Sequence, residues 1–226
     1  MNEEPSREAL WRIEQAILSD LTTVHPILRA THVTMIMVAI VLGVAAIGFE
    51  RNGAFALAVM TPVQMAGMFA VIACSVVLAA HSIARQMIPG SRYRVLPDLV
   101  PLVIVIPLVT VVAVMFPFGT ENHFWITNWS CIKLGMSLAS AATALMWLVL
   151  RNGAILSPRV AGASAGLLAG LAGTAALEVH CPNLHVAHVL VSHVGVAVFS
   201  SVAGFLFGSL IEIVRVTFLF RWRTDR

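Results

Sequence analysis

Residues 99–118 read LVPLVIVIPLVTVVAVMFPF, an uninterrupted run without a charged side chain and with Thr110 as its one hydroxyl. A helix needs roughly 20 such residues to cross about 30 Å of hydrocarbon. In lipid a segment must satisfy its own backbone hydrogen bonds, and a run this long and this uniformly apolar does not suit a barrel strand. Five further runs, at 33–49, 63–84, 129–150, 160–179 and 189–214, have the same character. The expected fold class is all-α, a polytopic membrane protein with six transmembrane helices. Composition agrees: 59% of the 226 residues are hydrophobic and 11% charged, with mean hydropathy +0.90, where a soluble domain carries roughly 25% charged residues.

Orientation follows from the connections, because cytoplasmic loops collect Lys and Arg. Of the 14 basic residues, Arg7, Arg12, Arg29, Arg85, Arg92, Arg94, Arg151, Arg159, Arg215, Arg221, Arg223 and Arg226 fall on one side. The other side has Arg51, and Lys133 stands a few residues inside the fourth span, from where it can snorkel outward. Both termini are therefore expected in the cytoplasm, with the loops around His123 and around residues 180–187 outside. The basic residues serve topology, so the pI of about 9.1 does not point to direct nucleic-acid binding. The polar start, Met-Asn-Glu-Glu-Pro, is not a signal peptide and is expected to belong to the mature chain. Three segments result: a cytoplasmic N-terminal segment 1–29, a six-helix domain 30–215 and a basic cytoplasmic tail 216–226.

Within segment 1–29, Leu10, Ile13, Ile17, Leu21 and Val24 recur at steps of three and four, with Trp11 and Leu18 widening the stripe. This predicts an amphipathic helix of about 18 residues ending near Pro26. Residues 1–28 carry Glu3, Glu4, Glu8, Glu14 and Asp20 against Arg7 and Arg12. Anionic lipid attracts basic helices, so a net acidic one is better suited to the groove of a basic protein partner.

Five of the eight histidines (His123, His180, His185, His188 and His193) and two of the three cysteines (Cys131 and Cys181) lie on or near the outer face. Cys131 opens the fourth span and Cys181 follows the fifth, at similar depth. The pair could form a disulfide, or, with His180, His185 and His188, a soft site for a thiophilic metal ion. His185 and His188, three apart, can share a helix face. Glu178, a turn inside the outer surface, is costly unless paired or wet; it either partners this cluster or is reached by water. Cys74 reads as a small packing residue. Pro101 and Pro107 are expected to bend the third span. Gly162, Gly166 and Gly170, with Gly204 and Gly208, have the four-residue spacing of close helix contact, within the bundle or between two copies.

Three stretches resemble the NrsF-type membrane anti-sigma factors. The first is IEQAILSDLTTVHP at 13–26, with Thr23 where that family commonly has Pro. The second is WSCI at 129–132. The third runs from RNGA at 151–154 through Ser157-Pro158 and the Ala/Gly-rich fifth span to HCPN at 180–183. Together they cover nearly the whole chain. The resemblance implies a six-span protein that holds an extracytoplasmic-function sigma factor at the bacterial inner membrane and releases it on an outer-face signal; the cysteine and histidine cluster makes an oxidative or heavy-metal stress the expected signal. Sigma contacts are then expected at Leu10, Ile13, Ile17, Asp20 and Leu21, and sensing at Cys131 and Cys181. With no activated nucleophile, proton-transfer dyad or phosphate loop, no enzymatic activity is expected. A small metal or solute transporter is the alternative, disfavoured because the span interiors are nearly free of ionisable groups. Reporter fusions after Asn122 and Asn183 are expected to read as external, and fusions after Tyr93, Asn152 and Arg226 as internal; a cytoplasmic signal at Asn183 would overturn this topology.

Overall fold

A computed structural model describes residues 7–20, 29–88, 90, 96–119, 124–153 and 155–224. Every regular element among the described residues is helical. Helix α1 is Arg7–Asp20, α2 Ala30–Asn52, α3 Pro62–Gln86, α4 Val100–Met115, α5 Phe124–Leu150 and α6 Pro158–His180. The chain closes with a one-turn α7, Val186–His188, a π-helical segment, Val189–Val194, and the long α8, Gly195–Thr224. Six spans are long and apolar enough to cross a membrane, with α7, the π segment and α8 together making the sixth.

Helix α6 is the axis of the bundle. In its most apolar stretch 83% of residues are buried inside the protein, against 22–33% in the other five spans, and α2, α3, α5 and α8 pack around it. Leu167, Leu168, Leu171 and Leu177 of α6 are fully buried, as are Met37, Met68, Ile104 and Met146 on the surrounding helices. The outer helices instead turn Leu42, Val77, Ile106, Val114, Phe205 and Leu206 outward. Such broad apolar exposure would be a liability in water; against acyl chains it is the expected surface.

The glycine spacing is an internal seam between α6 and α8. A Cβ on Gly162 would strike the carbonyl oxygen of Gly204, one on Gly166 that of Ser200, and one on Gly208 that of Pro158. Removing side chains at these positions lets the two backbones touch, and dispersion between them replaces the hydrophobic force that lipid does not supply. Ser201 adds a hydrogen bond of 3.0 Å from its hydroxyl to the Ala163 carbonyl. At the arginine-bearing end, Arg159 pairs with Glu212 at 3.5 Å and Arg215 donates to the Ile155 carbonyl.

Local chemistry sets the helix ends and shifts several from the expected positions. Thr61 and Gln64 form a reciprocal capping box that opens α3, and Gln64 Nε2 donates to the Met115 carbonyl at 2.8 Å, pinning the end of α4. The third span ends at Met115 rather than at 118, because Phe116 precedes Pro117 and is forced extended, at φ −105° and ψ 148°. Pro101 lies in the first turn of α4, where a missing N–H costs nothing, so Pro107 is the one interior proline of that helix. Helix α5 starts at Phe124, five residues before the expected position, and Cys131 stands two turns inside it instead of at its opening. Cys74 is exposed on the flank of α3 rather than packed inside. The N-terminal helix is present as α1 with Trp11 exposed; it carries Leu10, Ile13, Ile17 and Asp20, while Leu21, Val24 and Pro26 lie outside the described residues.

The seam is the natural place to test the packing. Replacing Gly166 by Leu is expected to lower the stability of the solubilised protein by about 1–3 kcal/mol or more, because backbone cannot yield as a side chain does. Gly43, where a Cβ would meet nothing within 4 Å, should accept Leu within about 0.5 kcal/mol. Equal shifts in apparent Tm for the two variants would contradict the seam.

Candidate functional site: a buried cysteine and histidine cluster

The end of α6 and the start of the last span converge on the first turns of α5. Cys181 caps α6: its N–H donates to the Leu177 carbonyl at 2.8 Å, its backbone is extended, and Pro182 prevents the helix from continuing. Asn183 Oδ1 then accepts the His185 N–H at 3.2 Å, turning the chain. The Val186 N–H donates to the Pro117 carbonyl at 3.0 Å, which fixes the returning chain against the end of α4.

The last span begins with unusual backbone. Between Val189 and Val194 the helix is in π register, with i→i+5 hydrogen bonds. Residues five apart on an α-helix point about 140° away from each other, at about 100° per residue. The wider π turn brings them onto one face, and His188 and His193 accordingly stand with ring centroids 5.4 Å apart, edge to face. Side-chain hydroxyls hold this stretch in place. Ser192 lies 2.6 Å from the His188 carbonyl and 2.8 Å from Asn128 Oδ1 on α5, while Thr174 of α6 donates to the His193 carbonyl at 2.8 Å.

The result is a compact group of four buried side chains. Cys131 Sγ and Cys181 Sγ are 3.4 Å apart and unbonded, and Cys181 Sγ is 3.2 Å from His188 Nε2. One ligand atom from each of Cys131, Cys181, His188 and His193 lies within 4.8 Å of all the others. Behind them, Glu178 Oε1 is 2.8 Å from His193 Nδ1, with both side chains fully buried. With Glu178 ionised, Nδ1 carries the proton and donates to the carboxylate, which leaves Nε2, without a hydrogen-bond partner of its own, as the nitrogen available to a ligand.

The structure therefore brings together three of the residues expected from sequence, Cys131, Cys181 and His188, and adds His193. It leaves two others out. His180 turns toward the loop after α2, with Nδ1 3.3 Å from the Gly53 carbonyl and its ring 5.7 Å from that of Phe55. The His185 ring lies against Gly119. His123 is outside the described residues. Glu178 is the partner of the cluster through His193. Sequence spacing missed His193 because a five-residue interval from His188 is an opposite-face interval in an α-helix; the signal available was Glu178 itself, a buried acid that needs a partner.

Chemically, two close thiols can be oxidised to a disulfide, and two thiolates with two imidazoles can hold a metal ion. Among the described residues, the buried ionisable side chains (Cys131, Cys181, Glu178, His188 and His193) all gather at this one end. No file of them crosses the bundle among the described residues, whereas ionisable groups within the spans commonly mark a translocation path.

Fold and site thus define a class: a polytopic helical bundle of membrane-spanning length with a thiol–imidazole cluster at one end. Within that class the chain belongs to the NrsF family, negative regulator of sigma F, whose family profile matches residues 19–212. Comparison with curated proteins and with solved structures finds no match. The family is one of regulators, and its name implies a sigma factor as partner.

Proposed function

We propose that this protein is a membrane-bound anti-sigma factor for an extracytoplasmic-function sigma factor, held in the bacterial inner membrane with both termini in the cytoplasm. Segment 1–29 binds the sigma factor, 30–215 is the membrane domain and 216–226 a basic cytoplasmic tail. Binding uses the apolar stripe of Leu10, Ile13, Ile17 and Leu21, with Asp20 as a charged contact. An acidic amphipathic helix suits a partner whose surface is basic because it also binds DNA. The Cys131–Cys181 pair is the sensing element, and a redox or thiophilic-metal signal outside the membrane releases the sigma factor.

The observation that carries this reading is the approach of Cys131 and Cys181 to 3.4 Å in a chain of the NrsF family. The two cysteines come from different helices, so a bond or a shared ligand between them acts on the relative position of α5 and α6. They also lie at the ends of those helices far from Arg151 and Arg159, consistent with a cluster on the outer side if the basic ends face the cytoplasm. Release requires two arrangements of the bundle with different affinity for the sigma factor. A regulator of this design needs no catalytic step.

Sigma-dependent transcription tests both halves. After exposure to an oxidant or a thiophilic metal, strains carrying Cys131→Ser, Cys181→Ser or both should lose most of the induction, each single change costing nearly as much as the double because the pair works as a unit. Cys74→Ser should respond as wild type. A triple change of Ile13, Ile17 and Leu21 to Ser should give constitutive transcription with unchanged membrane levels of the protein. Normal induction in the double cysteine variant would refute the sensing pair, and full repression by the triple variant would refute the binding helix.

A further inference from the structure

The disulfide chemistry available to Cys131 and Cys181 forms its bond between only two of the four side chains gathered here. His193 Nε2 is buried and has no hydrogen-bond partner, and the same is true of His188 Nδ1 and Glu178 Oε2. Leaving a buried polar atom unsatisfied is costly, and of these three His193 Nε2 is the one whose need a ligand shared with the thiols would meet, since it stands on the ring opposite the Nδ1 that Glu178 holds.

We propose that Cys131 Sγ, Cys181 Sγ, His188 Nε2 and His193 Nε2 form a closed tetrahedral site for one divalent thiophilic ion, Zn2+ or its heavier congener Cd2+, with Glu178 orienting His193. The distances suit it. With Zn–S of about 2.3 Å and Zn–N of about 2.0–2.1 Å, a tetrahedral ion holds its two sulfurs about 3.8 Å apart and each sulfur about 3.6 Å from a nitrogen. The corresponding separations are 3.4 Å between the sulfurs and 3.2 Å from Cys181 Sγ to His188 Nε2. These two pairs need to expand by only a few tenths of an ångström, and all four ligand atoms already lie within 4.8 Å of one another.

Ligand type and charge select the ion. Two thiolates and two imidazoles in a tetrahedron match zinc-like chemistry, whereas Mg2+ and Ca2+ require oxygen donors. A divalent ion neutralises both thiolates, but a monovalent one would leave net negative charge in a buried site that already contains the Glu178 carboxylate. Glu178 supplies the outer support that metal-bound histidines typically have, accepting the Nδ1 proton and aiming Nε2 at the ion. With all four positions taken by protein, the site has no open place for water and is regulatory or structural rather than catalytic. On binding, each thiol gives up its proton to solvent and no electrons move. Metal and disulfide are mutually exclusive, because oxidation of the thiols removes both sulfur ligands.

The site deepens the sensing role proposed above, and only the step from metal occupancy to sigma release rests on that reading. The test uses the full chain, reduced and in lipid nanodiscs, titrated with Co2+ as a spectroscopic stand-in for zinc. One equivalent should produce the intense visible bands of tetrahedral cobalt together with thiolate charge transfer, and Zn2+ should bleach them. Cys131→Ser, Cys181→Ser, His188→Gln and His193→Gln should each abolish the one-equivalent tetrahedral signal, whereas His180→Gln and His185→Gln keep it. Glu178→Gln should retain the spectrum and bind about 10–100-fold more weakly. Absence of tetrahedral cobalt in the wild-type chain, or an unchanged signal in His193→Gln, overturns the site. Sigma release measured in the same nanodiscs separates the two readings: a wild-type chain that binds the ion but shows metal-independent and cysteine-independent release keeps the site and removes the sensor, while cysteine-dependent release without ion binding does the reverse.

Discussion

The backbone contact between α6 and α8 is the constraint on which the remaining architecture depends. Gly162, Gly166 and Gly170 on one helix meet Gly208, Gly204, Ser200 and Ala197 on the other, at distances that leave no room for a Cβ on these glycines. Such a contact tolerates no rotation of either helix, since that would drive a side chain into backbone. It therefore fixes which face of the last span meets the central helix. With Pro158 held beside Gly208 at one end, the chain at the other end must return from Cys181 so that His188 and His193 stand above the end of α6.

At that end the structure buries polar groups at a cost that packing alone would not justify. Burying a carboxylate, an amide or an imidazole is costly even when it is hydrogen-bonded, and well-packed apolar side chains are often more stable in its place. Glu178 with His193, and Asn128 with Ser192, are therefore better understood through what they hold in place. Asn128 lies one turn before Cys131 on α5, and its contact with Ser192 ties that helix to the π segment. Thr174 on α6 ties the same segment to the central helix. The two cysteines and two histidines are thus positioned by three separate elements, with buried hydrogen bonds joining the π segment to each of the other two. A change in the bonding among the four is mechanically a change in how α5, α6 and the last span meet.

The six spans were legible because hydropathy and length are properties of the residues themselves, and lipid leaves the backbone no choice but to close its own hydrogen bonds. The cysteine pair was legible for a related reason: span boundaries place residues 131 and 181 at similar depth before any contact is known. Other features depend on interactions that a linear reading does not contain. The early start of α5 places Cys131 two turns deep, and Phe124 through Asn128 are too mixed in polarity to be read as membrane helix. His193 belongs to the cluster only because the backbone leaves α-helical register between Val189 and Val194. His180 adjoins Cys181 in sequence, yet faces the loop after α2, since neighbouring residues at a helix end diverge by about 100°. Cys74 shows the converse limit: a mid-span position does not reveal which face of the helix meets protein and which meets lipid.

A membrane regulator of this kind acts only as far as its two states differ in affinity for the partner, and a coupling of about 1–3 kcal/mol corresponds to roughly a 5–150-fold change. The decisive quantity is therefore the Kd of the full chain in nanodiscs for its sigma factor, measured with Cys131 and Cys181 reduced and again after they are oxidised to a disulfide. If the cluster governs the N-terminal helix, the two values differ by about tenfold or more, within that range of coupling, and the difference vanishes when both cysteines are Ser. Equal affinities in the reduced and oxidised chain would contradict the coupling between the cysteine pair and the sigma factor.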